Sequence, residues 1–282
     1  MTAVLSGTEL ARNLRAEVTA AAAALTGAGT SARLAVVVAT DDESSAWYVR
    51  SIAGAARKTG IDCDVVDLGP QAKPGQIRAA LAALSEDPAV HGIMLQTPLP
   101  DGAHFEDLAS AIAPEKDVDG ANPLSLGRLS AGLPAFAPAT AAAVLALLDH
   151  YDVPLAGRTA VVVGRSNVVG KPAAQLLLQR DATVAVCHRH TKDLAALTRP
   201  ADVLVVAVGQ PGLIKAEHVG PDAIVVDVGT NPTADGGLVG DVDERAVSGR
   251  AGGLTPVPGG VGPVTTALLL RQTIQSAAGR FP

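Results

Sequence analysis

Aromatic side chains are scarce in this chain. Only 2% of its 282 residues are aromatic, namely one Trp, two Tyr and three Phe. A core built around large rings is therefore excluded. Hydrophobic residues still make up 48%, and alanine and valine dominate them. The core must be assembled from small aliphatic side chains, which suits helices packed closely on a parallel sheet. Cysteine is nearly missing. Cys63 and Cys187 lie far apart, each next to a predicted strand. They supply neither a disulfide framework nor a zinc site, and this points to a reducing, cytoplasmic setting. Basic runs are lacking too. The 22 Lys and Arg against 28 Asp and Glu give a net charge of −6, which argues against nucleic acid as a partner. An anionic ligand must instead meet locally placed arginines. No apolar run is long enough to span a bilayer, no cleavable apolar leader opens the chain, and no internal repeat is visible.

What is present is a regular alternation of apolar strand-like runs with helical patterns. In the first half, strands are expected at Leu34–Ala39, Asp62–Leu68 and Val90–Leu95. Helices are expected at Thr8–Leu25, Trp47–Lys58, Pro74–Leu84 and Phe105–Ile112. Ser44 or Ser45 is the expected cap of the second helix. Ala139–Tyr151 reads as a linking helix. Strands follow at Thr159–Val163, Thr183–Cys187, Val203–Val208 and Ala223–Val228, and an apolar helix closes the chain. This is βαβ architecture. The fold class is α/β in two domains with a cleft between them. Residues 1–138, with the C-terminal helix 265–282, form one domain, and residues 139–264 form the other.

The most informative stretch is Ala160-Val-Val-Val-Gly164-Arg165-Ser166-Asn-Val-Val-Gly170-Lys-Pro172. It reads as a buried strand, a glycine turn and a helix start. Such a turn presents backbone N–H groups to an anion, most often a pyrophosphate in an α/β sheet. The spacing is G-x-S-x-x-x-G rather than G-x-G-x-x-G. An ordinary strand-to-helix turn that needs glycine for its backbone angles remains an alternative. Arg165 favours the nucleotide reading, because arginine pairs well with a ribose 2′-phosphate. The end of the next strand carries Arg189 and no acidic residue that would hold a free ribose hydroxyl. Both features favour NADP as cofactor.

Separated segments of the chain resemble the methylenetetrahydrofolate dehydrogenase/methenyltetrahydrofolate cyclohydrolase family. They are Ser45-x-x-Tyr48-Val49, Gly92-Ile-Met-Leu-Gln96-Thr-Pro98-Leu-Pro100, Pro114-Glu-Lys-Asp117-Val-Asp119-Gly120, the Val163–Pro172 stretch, and Thr255-Pro-Val-Pro258-Gly259-Gly260-Val-Gly-Pro263. They follow the family's order and span nearly the whole chain. The resemblance implies a folate-binding domain, an NADP-binding Rossmann domain and a homodimer acting on one-carbon derivatives of tetrahydrofolate. It implies that Tyr48 packs on the folate ring, that Gln96 is the active-site glutamine, and that Asp119 hydrogen-bonds the pterin. Pro258, Gly259 and Gly260 would border the folate. Gly164, Arg165, Ser166, Gly170 and Arg189, with Val208, Gly209 and Thr230, would hold the cofactor. A pterin edge offers adjacent donors that one carboxylate can accept together.

One departure matters. The family places a lysine four residues after the tyrosine, on the same helix face, and it serves the cyclohydrolase step. Here that position is Ile52. Arg50 and Lys58 point off the Tyr48 face. Thr97, Ala121, Asn122, Ala139 and Ala141 also differ from the family pattern. The drift gathers around the folate pocket and leaves the cofactor loop intact. The leading expectation is a dehydrogenase with weak or no cyclohydrolase activity. A fully bifunctional enzyme, an NADP-dependent oxidoreductase on another pterin-like or cyclic amine substrate, and a non-catalytic folate- or NADP-binding paralogue are the alternatives. His188 and His190 lack a third ligand, so no metal site is expected. Trp47 is read as core, Asp117 as a loop brace, and Asp227 as a residue that shapes its strand end.

Overall fold

The computed structural model describes residues 1–233 and 236–281. Ala234, Asp235 and Pro282, the last of which closes the expected segment 265–282, lie outside the described residues. The chain divides into two compact units. Arg12–Ala139 and Thr266–Pro282 make up one, here the N-terminal unit, and Met1–Ala11 and Thr140–Thr265 make up the C-terminal unit.

The N-terminal unit is built on a three-stranded parallel sheet of β2 (Arg33–Val38), β3 (Asp62–Asp67) and β4 (Gly92–Leu95), in the order β3-β2-β4. A central parallel strand is covered on both faces and therefore reads as a continuous apolar run. Successive β2 residues serve opposite layers. Leu34, Val36 and Val38 join a cluster with Val49, Ile52, Met94, Phe136, Leu269 and Leu270. Ala35, Val37 and Ala39 join another with Ile77, Leu81, Ile93 and Leu108. The helices involved are α1 (Thr8–Gly27), α2 (Glu43–Lys58), α3 (Pro74–Glu86), α4 (Phe105–Ala109), α5 (Pro123–Ser130) and α10 (Val261–Ala277). The edge strand β3 carries Asp62, Asp64 and Asp67, charges that discourage further pairing.

Two local expectations need correction. The N-cap of α2 is Asp42, whose carboxylate accepts from the Ser45 N–H at 2.7 Å. Ser45 sits inside the helix, and its hydroxyl donates instead to the Thr97 carbonyl at 2.8 Å. Trp47 is not core, since it is 59% exposed. The inward face of α2 runs through Ser45, Val49, Ile52 and Ala56, and Trp47 is rotated off it.

The C-terminal unit holds a six-stranded parallel sheet in the order β1-β11-β8-β7-β5-β6. Its strands are β1 (Ala3–Val4), β5 (Thr159–Val163), β6 (Thr183–Cys187), β7 (Val203–Val206), β8 (Ile224–Asp227) and β11 (Gly253–Leu254). A separate antiparallel pair comprises β9 (Asn231–Pro232) and β10 (Leu238–Val239). The helices α6 (Ala139–His150), α7 (Gly170–Leu178), α8 (Leu194–Thr198) and α9 (Glu244–Val247) complete the order. Residues 1–11 fall with this unit, not with the 1–138 span expected from sequence, because β1 pairs with β11. Helix α10 begins at Val261, so Pro263 lies in its first turn, where a missing N–H costs no helical bond. Cys63 and Cys187 are both free thiols. Among the described residues no helix is long and apolar enough to cross a membrane.

With so few aromatics, the edge-to-face pair Phe136–Phe281 is an unusual concentration of apolar area, at 5.3 Å between centroids and 86° between planes. Phe136 is fully buried. Phe136→Ala should destabilise the N-terminal unit by about 3–5 kcal/mol, with the cavity as the main cause. Urea unfolding, followed by far-UV circular dichroism, measures this loss. A change under 1 kcal/mol, about the scale of a surface substitution, would refute the packing role.

Candidate active site

The expected substrate residues of the N-terminal unit gather around α2. Tyr48 is half-buried on that helix and lies close enough to Asp119 for the carboxylate to act on its phenol. Burial is the main cause of the raised phenol pKa, Asp119 adds to it, and the Thr266 hydroxyl on α10 opposes it. Asp119 sits in the loop after a short 3-10 turn at Pro114–Lys116. Its carboxyl is pushed up to about 7, first by burial and then by the neighbouring Asp117, while the backbone N–H of Ala139 at the start of α6 favours the charged form. Asp117 is fully buried and accepts from the N–H groups of Ala121 at 2.8 Å and Asn122 at 2.9 Å. It therefore braces the Asp119 loop.

Gln96 follows β4 and is 7% exposed. Its Nε2 donates to the Thr97 carbonyl at 2.6 Å and to the Ser45 Oγ at 3.3 Å. A carbonyl can only accept, so this pairing fixes which end of the amide is the nitrogen. The Oε1 is left buried without a partner. Such an acceptor is costly unless a donor arrives from a ligand or water. Ile52, at the position where the resemblance leads one to expect a lysine, is 0% exposed and belongs to the apolar cluster with Val36, Val38 and Met94. Arg50 and Lys58 are exposed.

In the C-terminal unit the expected cofactor residues meet at one end of the sheet. Val163 pairs with Cys187 on one side and Val206 on the other, so β5, β6 and β7 end level. Gly164 leaves β5 with φ 132°, and a Cβ there would fall on the Ala207 carbonyl oxygen. A Cβ at Gly170 would fall on the Gly164 carbonyl. Both glycines are thus needed for close backbone approach. Arg165 and Ser166 are exposed in the turn, and Arg189 is exposed just past β6. The Ser166 Oγ accepts from the N–H of Val169 at 3.2 Å. Val208 and Gly209 follow β7, and Thr230 follows β8. A backbone cradle closed to any Cβ, with two exposed arginines and no carboxylate at 188–190, fits a 2′-phosphorylated dinucleotide. The Nδ1 of His188 accepts from the His190 N–H at 3.2 Å, a bond internal to the loop.

Pro258, Gly259 and Gly260 lie in the loop before α10 and belong to the C-terminal unit. The Gly259 carbonyl accepts from the Gly7 N–H at 2.8 Å. The expected site residues therefore form two groups, one in each unit. Sequence reasoning missed Thr266, Ser45 as the partner of Gln96, and Asp241. The last is fully buried and accepts backbone N–H groups from Val208, Gly209 and Gln210. Its signal was the repeated Gly-with-Asp pattern of Asp227-Val-Gly229 and Gly240-Asp241.

A parallel nucleotide-binding type of sheet in one unit and a separate α/β arrangement in the other define the class. Comparison with known proteins narrows it. The catalytic-domain model of the tetrahydrofolate dehydrogenase/cyclohydrolase family matches residues 5–119, and its NAD(P)-binding-domain model matches residues 138–281. A protein named bifunctional protein FolD 1 from Saccharopolyspora erythraea is 76% identical over 281 residues, covering 100% of this chain and 96% of that protein. The crystal structure of the bifunctional methylenetetrahydrofolate dehydrogenase/cyclohydrolase of Campylobacter jejuni superposes with a TM-score of 0.96 at 40% identity, covering 100% of both chains. The Trypanosoma brucei dehydrogenase-cyclohydrolase, solved with NADP and an inhibitor, gives a TM-score of 0.94 at 36% identity over 99% of this chain and 98% of that one. The chain belongs to the tetrahydrofolate dehydrogenase/cyclohydrolase family.

The raised Asp119 pKa has a consequence for stability. The folded state favours the protonated carboxyl, so this contribution is complete below 3.8 and is lost as pH rises through about 7. Asp119→Asn cannot ionise. Its melting temperature should exceed that of the unaltered chain at pH 8, and the gap should close toward pH 5. A gap that does not vary with pH would refute the assignment.

Proposed function

We propose that the chain oxidises 5,10-methylenetetrahydrofolate to 5,10-methenyltetrahydrofolate with NADP, and that its cyclohydrolase step is weak or lost. The reading rests on Tyr48, held on the helix to which Ser45 ties Gln96, and on Asp119 of the loop after Pro114–Lys116, which acts on its phenol. NADP, which Gly164, Arg165, Ser166, Gly170 and Arg189 would hold, would supply the acceptor for a hydride leaving the methylene carbon. The side chains then have little acid–base work to do. Their task is to hold and orient the reactants, where most of the rate gain of such a step arises.

In this reading Asp119 accepts two donors from the pterin edge, Tyr48 lies against the ring, and Gln96 Oε1 takes up a donor from the ligand or a bound water. Pro258, Gly259 and Gly260 border the folate. Arg165 and Arg189 pair with the adenosine 2′-phosphate, and Ser166 contacts phosphate or ribose. Gly164, Gly170, Val208, Gly209 and Thr230 supply backbone and small side chains along the cofactor. The protein works as a cytoplasmic homodimer. Relatives named bifunctional, such as that of Saccharopolyspora erythraea, favour a second reading in which hydrolysis persists. Asp119 is the group suited to it, because its carboxyl changes charge near neutral pH.

Hydrolysis requires water to add to the methenyl carbon, a carbon–nitrogen bond to break, and a proton to leave. A placed proton carrier is worth about 10²–10⁴-fold in such a step. The test follows NADPH and the methenyl product separately after methylenetetrahydrofolate and NADP are mixed with the protein. NADPH should form, and methenyl should decay at the buffer rate. Ile52→Lys should speed that decay. Methenyl decay well above the buffer rate in the unaltered chain would establish the bifunctional reading, and no NADPH would refute the dehydrogenase.

A further inference from the structure

The chain around Asp241 forms a buried knot of two carboxylates. Asp241 Oδ2 accepts from the N–H of Val208 at 2.7 Å and of Gly209 at 2.9 Å. Its Oδ1 accepts from the N–H of Gln210 at 2.8 Å and from Asn231 Nδ2 at 2.9 Å. Three consecutive amides thus converge on one carboxylate, an anion nest whose anion is supplied by the protein itself. Asp227, at the end of β8, takes up the other side. It accepts from Gly229, from Asp241 itself and from Val242 at 2.9, 3.0 and 2.9 Å.

The fit leaves no slack. A Cβ on Gly240 would fall on Asp227 Oδ2, and a Cβ on Gly229 would fall on the Asp241 carboxyl. The segment that Asp241 holds, 208–210, begins next to Ala207, whose carbonyl lies over Gly164. The wall beside the glycine turn is therefore set by a carboxylate distant from it in sequence. Charged hydrogen bonds to buried amides are among the stronger ones available, and an amide left facing a non-acceptor is penalised.

We infer that Asp241 is a positioning residue for the cofactor, fixing the backbone of residues 208–210 against the Gly164 turn so that the dinucleotide meets a preformed wall. The inference rests on the proposed placement of NADP at Val208 and Gly209. Asp241 need not touch the cofactor. In Asp241→Asn the side chain keeps its shape but turns an NH2 group toward backbone N–H donors, so at least one of the three amides loses its acceptor.

The experiment measures NADP binding by fluorescence and KM for both reactants, using the full chain at a temperature where each variant is folded. Asp241→Asn should weaken NADP binding by about 10- to 100-fold, the loss of one charged hydrogen bond. KM for NADP should rise more than kcat falls, and KM for methylenetetrahydrofolate should hold. A folded Asp241→Asn that binds NADP within about twofold of the unaltered chain, a difference worth under 0.5 kcal/mol, would overturn the inference. If Asp241→Asn does not fold, Asn231→Ala decides instead. It removes a single donor from Oδ1, so it should raise KM for NADP several-fold, and an unchanged KM would overturn the inference. Failure of the unaltered chain to bind NADP would refute the cofactor assignment itself, which separates the two outcomes.

Discussion

The C-terminal unit depends on one backbone crossing. Gly164 leaves β5 so close to the Ala207 carbonyl that no side chain fits between them. The crossing is possible because β5 and β7 are adjacent parallel strands that end level, at Val163 and Val206. Small, β-branched side chains let the strands be covered closely on both faces, as a chain poor in aromatics requires. Gly170 repeats the constraint at the start of α7, where the helix begins directly over the turn. The ends of β6 and β7 lie level with that of β5, so the loops that follow them flank the glycine turn.

The N-terminal unit is held by a different device, an electrostatic one. Asp117 is anchored by backbone amides and so keeps its oxygens occupied within the loop. Asp119, two residues on, has a helix N-terminus on one side and an acidic neighbour on the other. Asp117 is occupied by its own loop, and Asp119 is the carboxyl pushed up to about 7. The same division separates Ser45, which braces Gln96, from Gln96, whose Oε1 stays open.

Much of this was legible in the sequence. Long apolar runs such as Leu34–Val38 and Ala160–Val163 announce buried parallel strands, because burial on both faces removes any alternation. The glycine turn at 164–170 and the residues Tyr48, Gln96 and Asp119 were visible through spacing and resemblance. Other features left little local trace. β1 is two exposed residues, Ala3 and Val4, and only its pairing with β11 makes it a strand. Asp42 outcompeted Ser44 and Ser45 for the α2 cap because a carboxylate is at least as good an acceptor there, and because Ser45 is engaged by Thr97. Trp47, next to Tyr48 and so on another helix face, reads as core, but the inward face of α2 is set by Ser45, Val49, Ile52 and Ala56. Asp241 was passed over because its partners lie some thirty positions away, at Val208 to Gln210.

The position of Ile52 brings these observations together. Its side chain is wholly buried in the apolar cluster that β2 forms with its neighbours. A buried ammonium would need a nearby anion or acceptor, and the buried residues clustered with Ile52, Val36, Val38, Val49 and Met94 among them, are apolar. Burial pushes the Asp119 proton affinity up to neutrality, which a close cation would oppose. Ile52 itself offers neither a donor nor an acceptor for a proton. An apolar side chain buried at position 52 carries no proton, and Asp119, whose carboxyl is pushed up to about 7, is the titratable group that acts on Tyr48.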